Sequence, residues 1–198
     1  EDVQMSTESK GLKLSDILIT VFIAVIFAII YKVWWGFYGI AEATGLRIEQ
    51  LTYGMWFIAA IIAYLLIKKP GVALLAEFAA GAGETIVMGQ FHIPTLIYAF
   101  LQGLACELVF MLYRYNRHTL FVSMLAGVAA AIASFPIDWY YGYLSEVQLW
   151  NVILMLVFRI ISGAILAGGL AYVIVKALEK TGMTKLLRPS QKEDYDAL

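Results

Sequence analysis

The sequence predicts an all-α integral membrane protein of six transmembrane helices with both termini cytoplasmic. Three observations lead there. Hydrophobic residues make up 62% of the 198, and mean hydropathy is +0.79, against roughly 45–50% apolar content in a soluble domain. Six apolar runs follow one another, each long enough to cross a bilayer at ~20 residues per helical span. The basic residues gather in alternate connections between those runs.

Residues 1–4 precede Met5 and read as the remnant of a tag, and 5–13 as a cytoplasmic N-terminal segment. The first span, 14–35, begins after Lys13 and has no small-residue cleavage site, so it reads as retained. The second, 51–67, ends at the Lys68–Lys69 pair. Pro70 sits at the start of the third, 71–88, and Pro94 just inside the fourth, 93–113, where a missing N–H costs little. The fifth, 120–135, is expected to close at Pro136. The sixth, 149–178, would measure about 45 Å as a helix and must tilt or protrude. The transmembrane domain is thus 14–178, followed by a cytoplasmic tail, 179–198.

Orientation comes from the charges. Lys10, Lys13, Lys68, Lys69, Arg114, Arg117, Lys176, Lys180, Lys185, Arg188 and Lys192 all fall on one side of this topology, leaving Lys32 and Arg47 for the other. The positive-inside rule places the first group, and both termini, in the cytoplasm. The outer connections are then 36–50, 89–92 and 137–148. They carry Glu42, Glu49, Asp138 and Glu146 against Arg47.

Several function classes fall away. A net charge of −1 gives no footprint for nucleic acid. The single cysteine, Cys106, excludes an intrachain disulfide and a cysteine-rich metal site. Neither a GxxxxGK[ST] phosphate loop nor HExxH occurs, and Ser162-Gly163 lacks the preceding glycine of a GxSG nucleophile. His92 and His118 read as interfacial or loop residues. An enzyme is not expected; no catalytic residue, cofactor or metal is assigned.

Four ionisable residues lie inside apolar spans: Glu77, Glu84, Glu107 and Arg159. A charge at mid-bilayer costs roughly 2.5–3.5 kcal/mol on insertion scales, so such groups face a bundle interior and meet partners or a ligand. Arg159 with Glu107 or Glu77 is expected to form a structural ion pair. Three carboxylates against one guanidinium leave a surplus suited to a cation, or to carboxyls that hold a proton. All five tryptophans lie in the outer half, with tyrosines nearby, and such rings attract organic cations and stack on flat heterocycles. Depth at 1.5 Å per residue groups Glu84, Gln90, Tyr98, Gln102, Asp138 and Asn151 around an outward pocket, with Trp34, Trp35, Tyr53, Trp56, Trp139 and Tyr141 as its aromatic wall and lid. Glu84 is the first choice for a ligand contact.

Ala24 and Ala28 form a small-xxx-small pair in the first span, as do Ala59 and Ala63 in the second. YGMWFIAAIIAYLLIKKPGVALLAE (53–77), IYAFLQGLACELVF (97–110) and FRIISGAILAGGLAY (158–172), in that order, resemble the substrate-binding S components of energy-coupling factor (ECF) vitamin transporters, closest to the YkoE type assigned to thiamine and its hydroxymethylpyrimidine precursor. The resemblance implies an S-component bundle in a bacterial cell membrane. It implies tight vitamin binding at the outer face, and toppling in the lipid when a T component and two ABC ATPase subunits engage it. It also turns the AVIFA stretch, Ala24 to Ala28, into an expected contact with the T component.

Thiamine, with a thiazolium cation and an aminopyrimidine, suits the acidic and aromatic inventory. Two alternatives stay open: an S component for another heterocyclic vitamin or a metal ion, the latter disfavoured by scarce His and Cys, and a stand-alone proton-coupled carrier using Glu77, Glu84 and Glu107.

Overall fold

A computed structural model describes residues 11–182, so the expectations for 1–4 and for most of the tail lie outside the described residues. Six helical rods form one bundle. Helix α1 spans Leu14–Glu42. A 3-10 segment, Ile48–Phe57, leads into α2, Ile58–Ile67. Helices α3 (Val72–Val87), α4 (Ile93–Leu112) and α5 (Leu120–Tyr140) follow. The last rod runs through α6 (Leu149–Ser162), a π-helical stretch (Gly163–Leu170) and α7 (Ala171–Lys180). Among the described residues, five of the six rods are long and apolar enough to cross a membrane; α3, at 16 residues with Glu77 and Glu84 inside it, is the exception.

Periodicity explains which faces are buried. In α1, Thr20, Ile23, Ala24, Phe27, Ala28 and Tyr31 face inward, while Leu18, Val21, Phe22, Val25, Ile29 and Val33 are exposed and apolar. That three-and-four spacing with an apolar outer face is the mark of a rod seated between protein and lipid. Helix α2 is apolar all round because protein surrounds it: every residue from Ile58 to Leu66 is buried.

Small residues set the closest approaches. A Cβ added at Gly83 of α3 would lie 2.7 Å from the Ala28 Cβ of α1, and one at Gly103 of α4 would lie 2.9 Å from the Glu77 Cβ of α3. Ala24 and Ala28, exposed by only 1% and 2%, therefore pack inside the chain. That packing against α3 occupies the pair expected to contact a T component. In the last rod, a Cβ at Gly127 of α5 would reach within 2.7 Å of the Gly163 carbonyl carbon. The wider π-helical turn meets α5 at this near-contact of backbones.

The expected boundaries move at two places. Helix α1 continues past residue 35 to Glu42, through nearly half of the stretch read as a loop, and 3-10 turns take up its end. Pro136 does not close α5, which runs on to Tyr140. The proline removes one backbone hydrogen bond, but Arg159 Nη1 donates to Ser134 Oγ at 2.7 Å and to Asp138 Oδ2 at 2.6 Å, pinning the helix on both sides of it.

The expected ion pair is also corrected. Glu107 caps α3: its carboxylate accepts from the backbone N–H groups of Gly71 (2.6 Å), Ala73 (3.0 Å) and Leu74 (3.2 Å), and from the Tyr115 hydroxyl (2.8 Å). These first-turn amides have no intrahelical acceptor, and a carboxylate at a helix N-terminus also meets the positive end of the dipole. Burial and that carboxylate push the Tyr115 hydroxyl pKa up. Lys69 Nζ meets Asp16 at 2.6 Å, and Lys68 lies 3.6 Å from Glu179, so the start of α1, the α2–α3 turn and the end of α7 share one end of the bundle.

Glu107→Ala strips several amides of their acceptor and is expected to cost about 2 kcal/mol. Thermal unfolding in detergent should show a midpoint lowered by several degrees, and an unchanged midpoint would contradict the capping role.

Candidate functional site

A cavity of about 600 Å³ opens at the opposite end of the bundle from the Lys69–Asp16 contact. That volume falls within the range of small-molecule sites. Each element contributes one helical face. Tyr31, Trp35, Tyr38 and Glu42 come from α1, at spacings of four, three and four. Glu77, Gly81, Glu84 and Met88 repeat that pattern on α3, and Met155 and Arg159 are one turn apart on α6. Gln50, Tyr53 and Trp56 are three apart, and in a 3-10 helix such residues eclipse one another. The tight helix thereby stacks an amide and two aromatic rings along one edge. Thr95, Tyr98, Ala99 and Gln102 of α4 close the wall, while Arg47, Gln90, His92, Tyr143 and Leu144 line the cavity from the connections.

One wall is aromatic and acidic. Trp35 Nε1 donates to Glu84 Oε1 at 2.6 Å. Ring centroids lie 4.9 Å apart for Trp35–Trp56, 5.0 Å for Tyr38–Trp56 and 5.6 Å for Tyr53–Trp56. Their tilted and edge-on geometries leave π surface beside a buried carboxylate, the setting in which a flat cation binds well.

The adjoining wall centres on Arg159, 2% exposed. Besides Ser134 and Asp138, its Nε donates to Gln50 Oε1 at 2.8 Å, and its guanidinium carbon lies 3.8 Å from the Tyr53 ring centroid. Asp138 Oδ1 accepts from the Tyr98 hydroxyl. Gln50 Nε2 continues the network to the Tyr38 hydroxyl at 2.9 Å. Arg159 therefore pairs with Asp138, and not with Glu77 or Glu107. Glu77 lies elsewhere: its Oε2 accepts from the Tyr31 hydroxyl at 3.0 Å and the Ala60 N–H at 3.3 Å.

Carboxylates dominate the lining, with Glu42, Glu49, Glu77, Glu84 and Asp138 against Arg47 and Arg159. Since Asp138 and Arg159 neutralise each other, the rest of the cavity is strongly acidic when ionised.

Of the residues expected at the pocket, Glu84, Trp35, Tyr53, Trp56, Gln90, Tyr98, Gln102 and Asp138 do line the cavity. Trp34, Trp139, Tyr141 and Asn151 are not among its lining residues, and their expected placement is corrected. Trp34 points about 100° from Trp35 on the helix; its Nε1 donates to Thr52 O at 3.0 Å. Trp139 is 79% exposed, because α5 continues and carries it to the outer face while Asp138 turns in. Tyr141 stacks on Tyr143. The sequence reading missed Tyr31, Tyr38, Glu49, Gln50 and Thr95, and it gave Glu77 and Arg159 to a structural pair. The α1 spacing Tyr31-Trp35-Tyr38-Glu42 was a usable signal once the helix is extended; the 3-10 register of Gln50 had none.

A family model described as "ABC-type cobalt transport system, permease component" matches residues 15–133. The "Putative HMP/thiamine permease protein YkoE" of Bacillus subtilis (strain 168) is 34% identical over 175 residues, covering 88% of each chain. A crystal structure described as an S-component of an ECF transporter superposes with a TM-score of 0.82 at 33% identity, over 88% of this chain and 89% of that one. This chain belongs to the YkoE-type S components of ECF transporters. S components are transporter subunits and not enzymes, and the chain is accordingly a multi-pass membrane protein of a transport system.

Arg159→Met in this S component leaves Asp138 buried without its cation, which costs roughly 3–5 kcal/mol. Adding Asp138→Asn should restore part of that loss. Unfolding of both variants in detergent checks the coupling; equal destabilisation in the single and double variants would contradict it.

Proposed function

We propose that this chain is the substrate-binding subunit of an ECF-type ABC importer that takes up thiamine or its hydroxymethylpyrimidine precursor. The observation that carries the reading is Glu84 hydrogen-bonded by Trp35 within a cluster of Trp35, Tyr38, Tyr53 and Trp56 rings. A thiazolium ring needs π faces and a nearby negative charge, and an aminopyrimidine needs a flat slot with polar edges. The printed name of the Bacillus subtilis relative, an HMP/thiamine permease, supports the same substrate class.

The basic residues favour cytoplasmic termini and six membrane crossings, with α3 crossing in the shelter of α1 and α4. The cavity then opens outward, and a T component and two ATPase subunits supply the energy for release inward. The family model's description raises cobalt as a second reading. Its donors argue otherwise, since among the described residues no three His, Cys, Asp or Glu side chains converge as a metal site.

Tryptophan fluorescence of the detergent-purified chain tests the reading against thiamine, hydroxymethylpyrimidine, riboflavin and Co²⁺. Saturable quenching by thiamine is expected at concentrations on the order of micromolar or below, with none by Co²⁺. Glu84→Gln should weaken thiamine binding about tenfold or more, as a hydrogen-bonded charge contributes roughly 1.5–3 kcal/mol. Quenching by Co²⁺ or riboflavin alone would overturn the assignment.

A further inference from the structure

Two arginines at the end of the bundle away from the cavity stand apart from the other cations there. Lys69 pairs with Asp16, and Lys68 and Lys176 both meet Glu179. Arg114 and Arg117 are exposed, and among the described residues neither forms an ion pair. Both belong to the connection between α4 and α5, residues 113–119, whose sequence YRYNRHT holds no acid. The carboxylate that reaches this connection, Glu107, is occupied by the start of α3 and by the Tyr115 hydroxyl.

The backbone between the arginines is held in an unfavourable shape. Arg114 and Tyr115 are consecutive non-glycine residues in the left-handed region, at φ 53° and 57°. Two bonds fix the turn: the Tyr115 N–H donates to Phe110 O at 2.9 Å, and the Tyr115 hydroxyl to Glu107 at 2.8 Å. Arg114 is therefore joined to a rigid neighbour while staying exposed itself.

An apolar border flanks the pair on both sides. Met111 and Leu112 end α4, 49% and 76% exposed, and Leu120 and Phe121 open α5, 43% and 66% exposed. Uncovered apolar residues at the ends of membrane helices face acyl chains, so arginines two and three residues beyond them lie at headgroup level. A guanidinium fork matches phosphate oxygens bidentately, which a lysine ammonium does not. On the orientation that the basic residues favour, this is the cytoplasmic leaflet, whose surface is negative.

We infer that Arg114 and Arg117 form a binding site for the phosphate of an anionic phospholipid, with Leu112 and Phe121 against its acyl chains. The acidic face of a partner subunit could meet the arginines, but Leu112 and Phe121 would need separate cover. One lipid molecule supplies an anionic head and apolar tails together. A headgroup held here ties the α4–α5 connection to the bilayer surface, and through Tyr115 and Glu107 the tie reaches the start of α3. The site shares no residue with the cavity and is independent of the solute carried.

Thermal unfolding of the full chain in nanodiscs tests the site, with phosphatidylcholine alone and with phosphatidylglycerol added. Phosphatidylglycerol should raise the wild-type midpoint by several degrees, as a ligand of the folded state does. The double variant Arg114→Gln/Arg117→Gln should lose most of that rise. Lys13→Gln/Lys180→Gln, which removes two exposed lysines at the same end, should keep it. Native mass spectrometry should find phosphatidylglycerol retained on the wild-type chain and not on the arginine variant. Glycerol 3-phosphate, with the same phosphate and no acyl chains, should leave the midpoint unchanged. If the double arginine variant does not fold, Arg117→Gln, outside the left-handed pair, should lose about half of the rise. An equal rise in a folded arginine variant, or an equal loss in the lysine variant, overturns the site. A rise with glycerol 3-phosphate overturns the lipid in favour of a soluble anion. An arginine variant that keeps the rise but no longer co-purifies with a T component assigns the surface to a protein partner instead.

Discussion

The ion pair between Arg159 and Asp138 holds the cavity in shape. Through it α6 is joined to α5, through Gln50 to the 3-10 segment, and through Tyr98 to α4. Each bond answers one requirement: a guanidinium buried among apolar helices must find acceptors for its protons, or the fold bears the cost of an unpaired charge. Meeting that requirement also fixes the Tyr53 ring beneath the cation. Tyr53 in turn contacts Trp56, and Trp56 contacts Trp35, so the placement of the aromatic wall descends from the charge pair beside it.

The buried carboxylates divide by what satisfies them. Glu107 is consumed by the start of α3 and belongs to the scaffold. Glu84 is engaged through one hydrogen bond from a tryptophan, and Glu77 by a tyrosine and a backbone amide on one oxygen. Among the described residues, Glu49 Oε2 and Glu77 Oε1, both on residues that line the cavity, have no hydrogen-bond partner. A membrane bundle gains little from the hydrophobic effect between helices, so its polar groups must be accounted for singly. Those left unmet at a cavity wall are where a ligand contributes.

Much of this was legible in the chain. Length, hydropathy and the placement of Lys and Arg mark out the six rods, and the order of motifs gives the family. Half-buried helices declare themselves by spacing, which is why Glu84, Tyr98 and Gln102 fall at the cavity. What resisted reading was non-local. No spacing tells that Glu107 serves the amides of another helix, or that Asp138 lies within reach of Arg159 beyond a proline expected to stop α5. The 3-10 register of Gln50, Tyr53 and Trp56 is likewise set by tertiary packing and not by propensity. Ala24 and Ala28 illustrate the converse: a small-residue pair announces a close approach without saying to what.

The central claim is that the acidic-aromatic cavity is the ligand site. A structure determined with thiamine bound tests it most directly. The account predicts the ligand inside the cavity, its cationic ring beside Glu84 among Trp35 and Trp56. Thiamine seated outside the cavity, on the exposed face around Trp139 and Tyr140, would contradict it.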